Sequence, residues 1–214
     1  MTNTASEPIF GLVLAGGRGQ RLGGADKGLV AWRGRPLIEH VVDRLRPQVQ
    51  VLAISANRNA AAYASLGLAV LPDSLSPLGT IGPLAGVQAG LDHFDAPGQA
   101  ALMVTTPVDA PRLPTDLVVR LLAALMATGA VATVAYAGGR LQPMFALMRI
   151  ALRPRLQDFL AAGGRRADAW YEEIEAVPVR FDTPDAFLNL NTPEDLANRD
   201  TDRSLDSDRE GGAA

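Results

Sequence analysis

Sixteen residues near the N-terminus, Leu14 to Leu29, read LAGGRGQRLGGADKGL and carry six glycines beside Arg18, Arg21 and Lys27. Successive backbone N–H groups in a tight glycine-rich turn form a concave anion site, and any Cβ there would hold a phosphate away from the backbone. A helix end or backbone nest contributes only about 0.3–1 kcal/mol per charge at an exposed site. A triphosphate needs fixed cations as well, and the three basic side chains supply them. The two named phosphate motifs do not fit. The dinucleotide fingerprint needs glycine where Leu22 stands, and the P-loop needs Gly-Lys-Ser/Thr where Gly24 precedes Ala25. A solvated glycine-rich loop is the bland alternative, but it gives no reason for so many cations on so small a frame.

Other residues suited to chemistry lie further along the chain. Asp109 ends the apolar stretch ALMVTTPVDAP. One well-aimed aspartate suffices for magnesium, which takes few protein carboxylates and completes its octahedron with water and phosphate oxygens. A turn or capping role before Pro111 is the alternative. Asn57 in SANRN and Asp73 in LPDS each sit just past an expected strand, where an amide and a carboxylate offer polar contacts to a ligand or else serve as ordinary turn residues. There is no cysteine, which excludes disulfides, thiolate metal sites, iron–sulfur ligation and a cysteine nucleophile. The two histidines, His40 and His93, fall in helical patterns, where a structural or exposed role is expected.

The elements that must position these residues are legible from periodicity. Apolar runs at IFGLVLA, VQVLAISA, LAVLP, AALMVTTP and AVATVAYA are short and bounded by turn residues, as strands buried on both faces should be. Helical stripes alternate with them. Leu37, Val41, Val42 and Leu45 follow Pro36, which is suited to a first helical turn, and Pro47 ends the stripe. Leu117, Leu121, Leu122 and Leu125 follow Pro114 and Thr115. The alternation predicts an α/β chain with a mostly parallel sheet and crossover helices on both faces, which puts strand ends and ligands at the carboxyl edge. Later segments read as a strand (LQPMFALMRI), a helix closed by Gly163 or Gly164, a strand (AVPVRFD), and a helix capped by Thr192 with Pro193 in its first turn. Asn189 and Asn191 alternate just before that cap and are expected on one face of a strand.

The 214 residues are 48% hydrophobic and 20% charged, the balance of one folded domain, expected over residues 1–199. Residues 200–214 lose periodicity and apolar content and are expected to be a disordered acidic tail. The net charge of −3 offers no general pull on nucleic acid or anionic lipid. Between Arg18 and Arg46, however, seven basic residues face three acidic ones, so the anion-facing end is N-terminal. No basic-then-apolar leader or membrane-length apolar run is evident, and a cytoplasmic location is expected, with no membrane and no nucleic-acid partner.

Taken with ISANRN, LPDS, GPLAGVQAGL, TTPVDAPRLP, QPMFAL, AGGRR and NLNTPEDL in the same order, the opening loop closely resembles the molybdenum cofactor guanylyltransferases, within the nucleotidyltransferase superfamily. The resemblance covers roughly residues 9 to 197. It implies a three-layer, Rossmann-like nucleotidyltransferase fold. It also implies transfer of GMP from Mg-GTP to the phosphate of molybdenum-molybdopterin, with pyrophosphate released. In that family Leu14, Ala15, Gly16 and Lys27 would contact the triphosphate, Asn57 and Asp73 the nucleotide, and Asp109 the Mg2+ ion and triphosphate.

The physics agrees with these roles. Attack on the α-phosphate builds charge that a pre-placed ammonium stabilises, so Lys27→Ala is expected to lower turnover about 100- to 1,000-fold. Arg18 and Arg21 suit the β- and γ-phosphates. The acceptor is already an anion, so no general base is required. Val108 stands where many relatives have cysteine, and Gln142 precedes Pro143 where some have histidine. Small residues in GPLAGVQAGL permit close approach to a base or pterin, or equally tight packing of helix on sheet. Arg165 and Arg166 could meet the acceptor's anionic groups, although an exposed helix end explains them equally well. Asn191 could face the metal or acceptor phosphate. Molybdoenzymes or their chaperones are the protein partners that the resemblance implies. The alternatives are a cytidylyltransferase or other nucleotidyltransferase with a different phosphate acceptor, and a non-catalytic GTP- or cofactor-binding partner protein.

Overall fold

The computed structural model describes residues 7–16, 26–73, 82–96 and 98–198. Strand β1 (Ile9–Leu14) opens it. A small hairpin, β2 (Ala31–Trp32) and β3 (Arg35–Pro36), turns through Arg33 and Gly34, both at positive φ, as a two-residue hairpin turn requires. Then come α1 (Leu37–Leu45), β4 (Val51–Ser55), α2 (Ala60–Ala64), β5 (Ala69–Leu71), α3 (Pro83–Phe94), β6 (Leu102–Pro107) and α4 (Leu117–Thr128). The chain continues through β7 (Ala132–Ala137), β8 (Arg140–Arg149), α5 (Arg153–Ala161), α6 (Ala167–Glu173), β9 (Val177–Arg180) and α7 (Pro193–Asn198).

Seven strands form one sheet in the order β5-β4-β1-β6-β8-β7-β9, and β8 alone runs against the others. This is the expected α/β, mostly parallel architecture. Alternate residues of the central strands feed two cores. Val13 and Val104 join α1, α2 and α4 on one face, while Leu12, Leu14 and Met103 join α3, α5 and α6 on the other. Helix α3 sits close to the sheet because a Cβ at Gly86 would lie 2.4 Å from Ser55 Oγ, and one at Gly90 would lie 2.6 Å from Leu12 Cδ2. Among the small residues of GPLAGVQAGL, these two glycines serve packing.

Two expectations need correction. Pro36 is extended (φ −55°, ψ 143°) and belongs to the hairpin, so α1 starts one residue later than the proline suggested. Asn189 and Asn191 do not follow a strand. A 3-10 turn, Pro184–Phe187, intervenes, and an irregular segment carries them back to the carboxyl edge. The cap at Thr192 stands: Thr192 Oγ1 accepts from Asp195 N at 3.1 Å, and Asp195 Oδ2 accepts from Thr192 N at 3.0 Å. Among the described residues no helix is long and apolar enough to cross a membrane. Residues 200–214 lie outside the described residues.

Candidate active site

Because β5, β4, β1 and β6 are parallel neighbours, Leu71, Ser55, Leu14 and Pro107 end on one edge in register. The chain is laced together just beyond it. Ala15 N donates to Ser55 O at 2.8 Å, Ala56 N to Leu71 O at 2.9 Å and Val108 N to Leu14 O at 3.1 Å. Two polar clusters stand on this edge.

The first joins the residues after β1, β4 and β5. Asn57 Nδ2 donates to Asp73 Oδ2 at 2.6 Å, Asp73 N donates to Asn57 Oδ1 at 2.8 Å, and Ser55 Oγ donates to Asp73 Oδ1 at 3.0 Å. A Cβ at Gly16 would lie 3.6 Å from the Asn57 amide and from both Asp73 oxygens. Gly16, Asn57 and Asp73 are thus brought together, with bare backbone facing an oriented carboxylate. The Leu14 side chain instead packs in the core below.

The second cluster joins segments far apart in sequence. Lys27 Nζ donates to Asp109 Oδ2 and to Asn191 Oδ1. The Lys27 and Asp109 side chains are 17% and 11% exposed. Leu190 N donates to Asp109 O at 2.8 Å, and Asn191 N donates to Asp195 Oδ2 at 2.9 Å, so the α7 cap fixes the asparagine. Asp109 Oδ1 is buried and has no hydrogen-bond partner among the described residues. A buried carboxylate oxygen without a donor costs free energy unless something cationic or protic meets it. A carboxylate oxygen is the donor type that a hard cation such as magnesium takes. No group of three or more His, Cys, Asp or Glu side chains could hold a metal among the described residues, so any ion here must take most of its ligands from elsewhere.

Arg18 and Arg21 lie outside the described residues. Arg165 donates to Leu160 O at 3.0 Å, at the carboxyl end of α5, and Arg166 pairs with Asp168, whose carboxyl it holds below the usual aspartate range. Both arginines are engaged as helix-end residues. Gln142 Nε2 donates to Ala137 O at 3.1 Å.

Sequence reading missed a third group. The turn Lys27–Leu29 is capped by Asp26, whose Oδ1 accepts from Gly28 N at 3.2 Å and from the Tyr63 hydroxyl. Asp26 Oδ2 accepts from Asn59 Nδ2 at 2.9 Å. Burial first, and then the bond to Asp26, push the Tyr63 phenol well above its usual range, so it stays a donor at working pH. The available signal was the place of Asp26 directly before the lysine.

Comparison with known proteins bears on what this edge does. Residues 11–177 match the MobA-like NTP transferase domain. A molybdenum cofactor guanylyltransferase of Shewanella loihica is 46% identical over 190 residues, 88% of this chain and 94% of that one. The chain belongs to the molybdenum cofactor guanylyltransferase family. It is a nucleotidyltransferase of molybdenum cofactor biosynthesis. The fold is also that of the molybdopterin-guanine dinucleotide biosynthesis protein A of Archaeoglobus fulgidus (TM-score 0.69, 22% identity, 89% of this chain and 96% of that one). A Mycobacterium tuberculosis protein solved with manganese shares it too (TM-score 0.62, 16% identity, 89% and 97%).

Proposed function

We propose that the two clusters are the halves of one guanylyl-transfer site. The Asn57–Asp73 pair with Gly16 holds the nucleoside end of GTP, and the Lys27–Asp109–Asn191 cluster holds the phosphates. The reaction forms molybdopterin guanine dinucleotide: a phosphate oxygen of molybdenum-molybdopterin attacks the α-phosphorus of GTP. A new P–O bond forms, the α–β bridge breaks, and its electron pair leaves with pyrophosphate. The observation that carries the reading is Asp109, with one oxygen held by Lys27 and the other buried and unpartnered among the described residues.

Mg2+ is the ion we assign to Asp109 Oδ1; when bound, it supplies positive charge against the triphosphate oxygens. The chain's own residues do the rest. Lys27 presents an ammonium where charge grows on the α-phosphate oxygens and on departing pyrophosphate, which needs no reorganisation of solvent. Asn191 orients that ammonium, and with Asp109 it keeps the lysine from swinging into solvent. Leu14, Ala15 and Gly16 present backbone at the strand end. The phosphate acceptor arrives as a nucleophile already, so positioning replaces acid–base chemistry. Arg18 and Arg21 are assigned to the β- and γ-phosphates from the loop sequence alone.

The test is pyrophosphate release by purified protein with magnesium, comparing GTP, CTP, ATP and UTP, each with and without molybdenum-molybdopterin. Release is expected with GTP only, dependent on acceptor, and lowered about 100- to 1,000-fold in Lys27→Ala and Asp109→Ala. Preference for CTP would overturn the assignment of the base, and unchanged turnover in Asp109→Ala would remove the metal role.

A further inference from the structure

We infer that Asp26, Tyr63 and Asn59 form a brace that sets Lys27 against Asp109, and that turnover depends on it. The inference rests on the role proposed for Lys27. A lysine has a flexible four-carbon stem, so the place of its ammonium depends on how its backbone turn is held as well as on its side-chain partners. Here the turn is Lys27–Leu29, a single 3-10 turn with too few bonds of its own to be rigid. Three donors converge on the Asp26 carboxylate next to it: Gly28 N from within the turn, and the Tyr63 hydroxyl and Asn59 amide from outside.

Those outer donors are themselves fixed. Tyr63 has no exposed surface and packs in the core shared by β1, α1 and α4. Asn59 begins α2 in the left-handed region (φ 52°), a conformation that asparagine tolerates better than most residues but that still needs its surroundings to hold it. From the other side the turn meets Val108, the residue before Asp109. A Cβ at Gly28 would lie 2.4 Å from Tyr63 Oη and 2.8 Å from Val108 Cγ2. The lysine turn is therefore wedged between the tyrosine and the side chain of Val108, the residue next to its carboxylate partner. The loop after β4 also contributes twice: Asn57 holds Asp73, and Asn59 holds Asp26. One loop thus sets the register of both clusters.

These are positioning residues, and the experiment must separate positioning from mere support of the fold. Tyr63→Phe keeps the ring and removes only the hydroxyl. It should lower kcat about tenfold and leave KM for GTP within about twofold, because a misplaced charge is felt most in the transition state. Asp26→Asn retains an acceptor for Gly28 and Tyr63 and should recover most of the kcat lost in Asp26→Ala. In a Lys27→Ala background Tyr63→Phe should have no further effect on single-turnover kcat, since the group it positions is gone. An equal fold-loss in both backgrounds, or no loss with Lys27 present, would overturn the brace. Wild-type turnover in Lys27→Ala alone would instead overturn the role of the lysine, which keeps the two failures distinguishable. A drop in melting temperature with unchanged kcat per active site would mark the trio as structural only and would also overturn the brace.

Discussion

Replacing Gly28 with alanine inserts one methyl group between Tyr63 and Val108. The new Cβ would stand 2.4 Å from Tyr63 Oη, 2.8 Å from Val108 Cγ2 and 3.1 Å from Tyr63 Cε1. Carbon atoms at ordinary contact lie about 3.5–4.0 Å apart, so something must move by roughly 1 Å. Tyr63 and Val108 are 0% and 4% exposed, and the tyrosine hydroxyl is bonded to Asp26 in the same segment, so neither has room to retreat. The turn is the softer partner, and Lys27 travels with it. A misplacement of about 1 Å costs on the order of 100-fold in rate. The overpacking itself costs about 1–3 kcal/mol, and each kcal/mol lowers Tm by about 2–4 °C in a chain of this size.

Gly90→Ala is the matched control. Its Cβ would meet Leu12 Cδ2 at 2.6 Å and Met103 Sδ at 2.8 Å, equally tight but in the core on the opposite face of the sheet. Thermal melts and steady-state pyrophosphate release should show both variants losing stability and only Gly28→Ala losing turnover per folded molecule. Wild-type kcat in Gly28→Ala, or the same loss in both variants, would refute the claim that this turn places the lysine.

Asp73→Ala removes the carboxylate that Ser55 and Asn57 orient beside Gly16, and it should raise KM for GTP on the order of tenfold with a smaller change in kcat, read from initial rates at varied GTP. Thr192→Ala removes the acceptor for Asp195 N and should cost about 1 kcal/mol, seen as a fall in Tm of about 2–4 °C. Since that cap also anchors Asn191, a few-fold fall in kcat should accompany it.

What was legible in the sequence follows from length and period. Five strands of the main sheet, β1, β4, β5, β6 and β7, announced themselves as short apolar runs, most clearly β1 and β6, which are buried along most or all of their length. The other two, β8 and β9, read as strands although they carry exposed and charged residues. The hairpin at Ala31–Pro36, α2 and α6 did not announce themselves, since two, five and seven residues are too few to show a period. In the site, Lys27, Asp109, Asn57 and Asp73 were visible because each sits at a strand end or in an unusual loop. Asp26, Asn59 and Tyr63 were not. Their roles exist only once β4 lies beside β1 and brings Asn59 and Tyr63 to Asp26, a pairing between residues 33 and 37 positions apart that no local pattern encodes. Asn191 was seen as a candidate but placed on a strand that does not form, because the alternation of asparagines mimics a strand period while Pro184 and the α7 cap dictate otherwise.

Asp109 links the phosphate-facing parts of the proposed site into a single constraint. Its Oδ2 is committed to Lys27, and its backbone carbonyl is committed to Leu190, the residue next to Asn191. With the backbone held by one of these bonds and Oδ2 by the other, Oδ1 is the oxygen of this carboxylate left without a partner among the described residues. On the proposed assignment, a metal held by Oδ1 and the lysine on Oδ2 would share one carboxylate. Independent loops would leave metal and lysine free to drift against each other on the scale that costs rate. In the proposed site, sharing one aspartate would reduce that freedom.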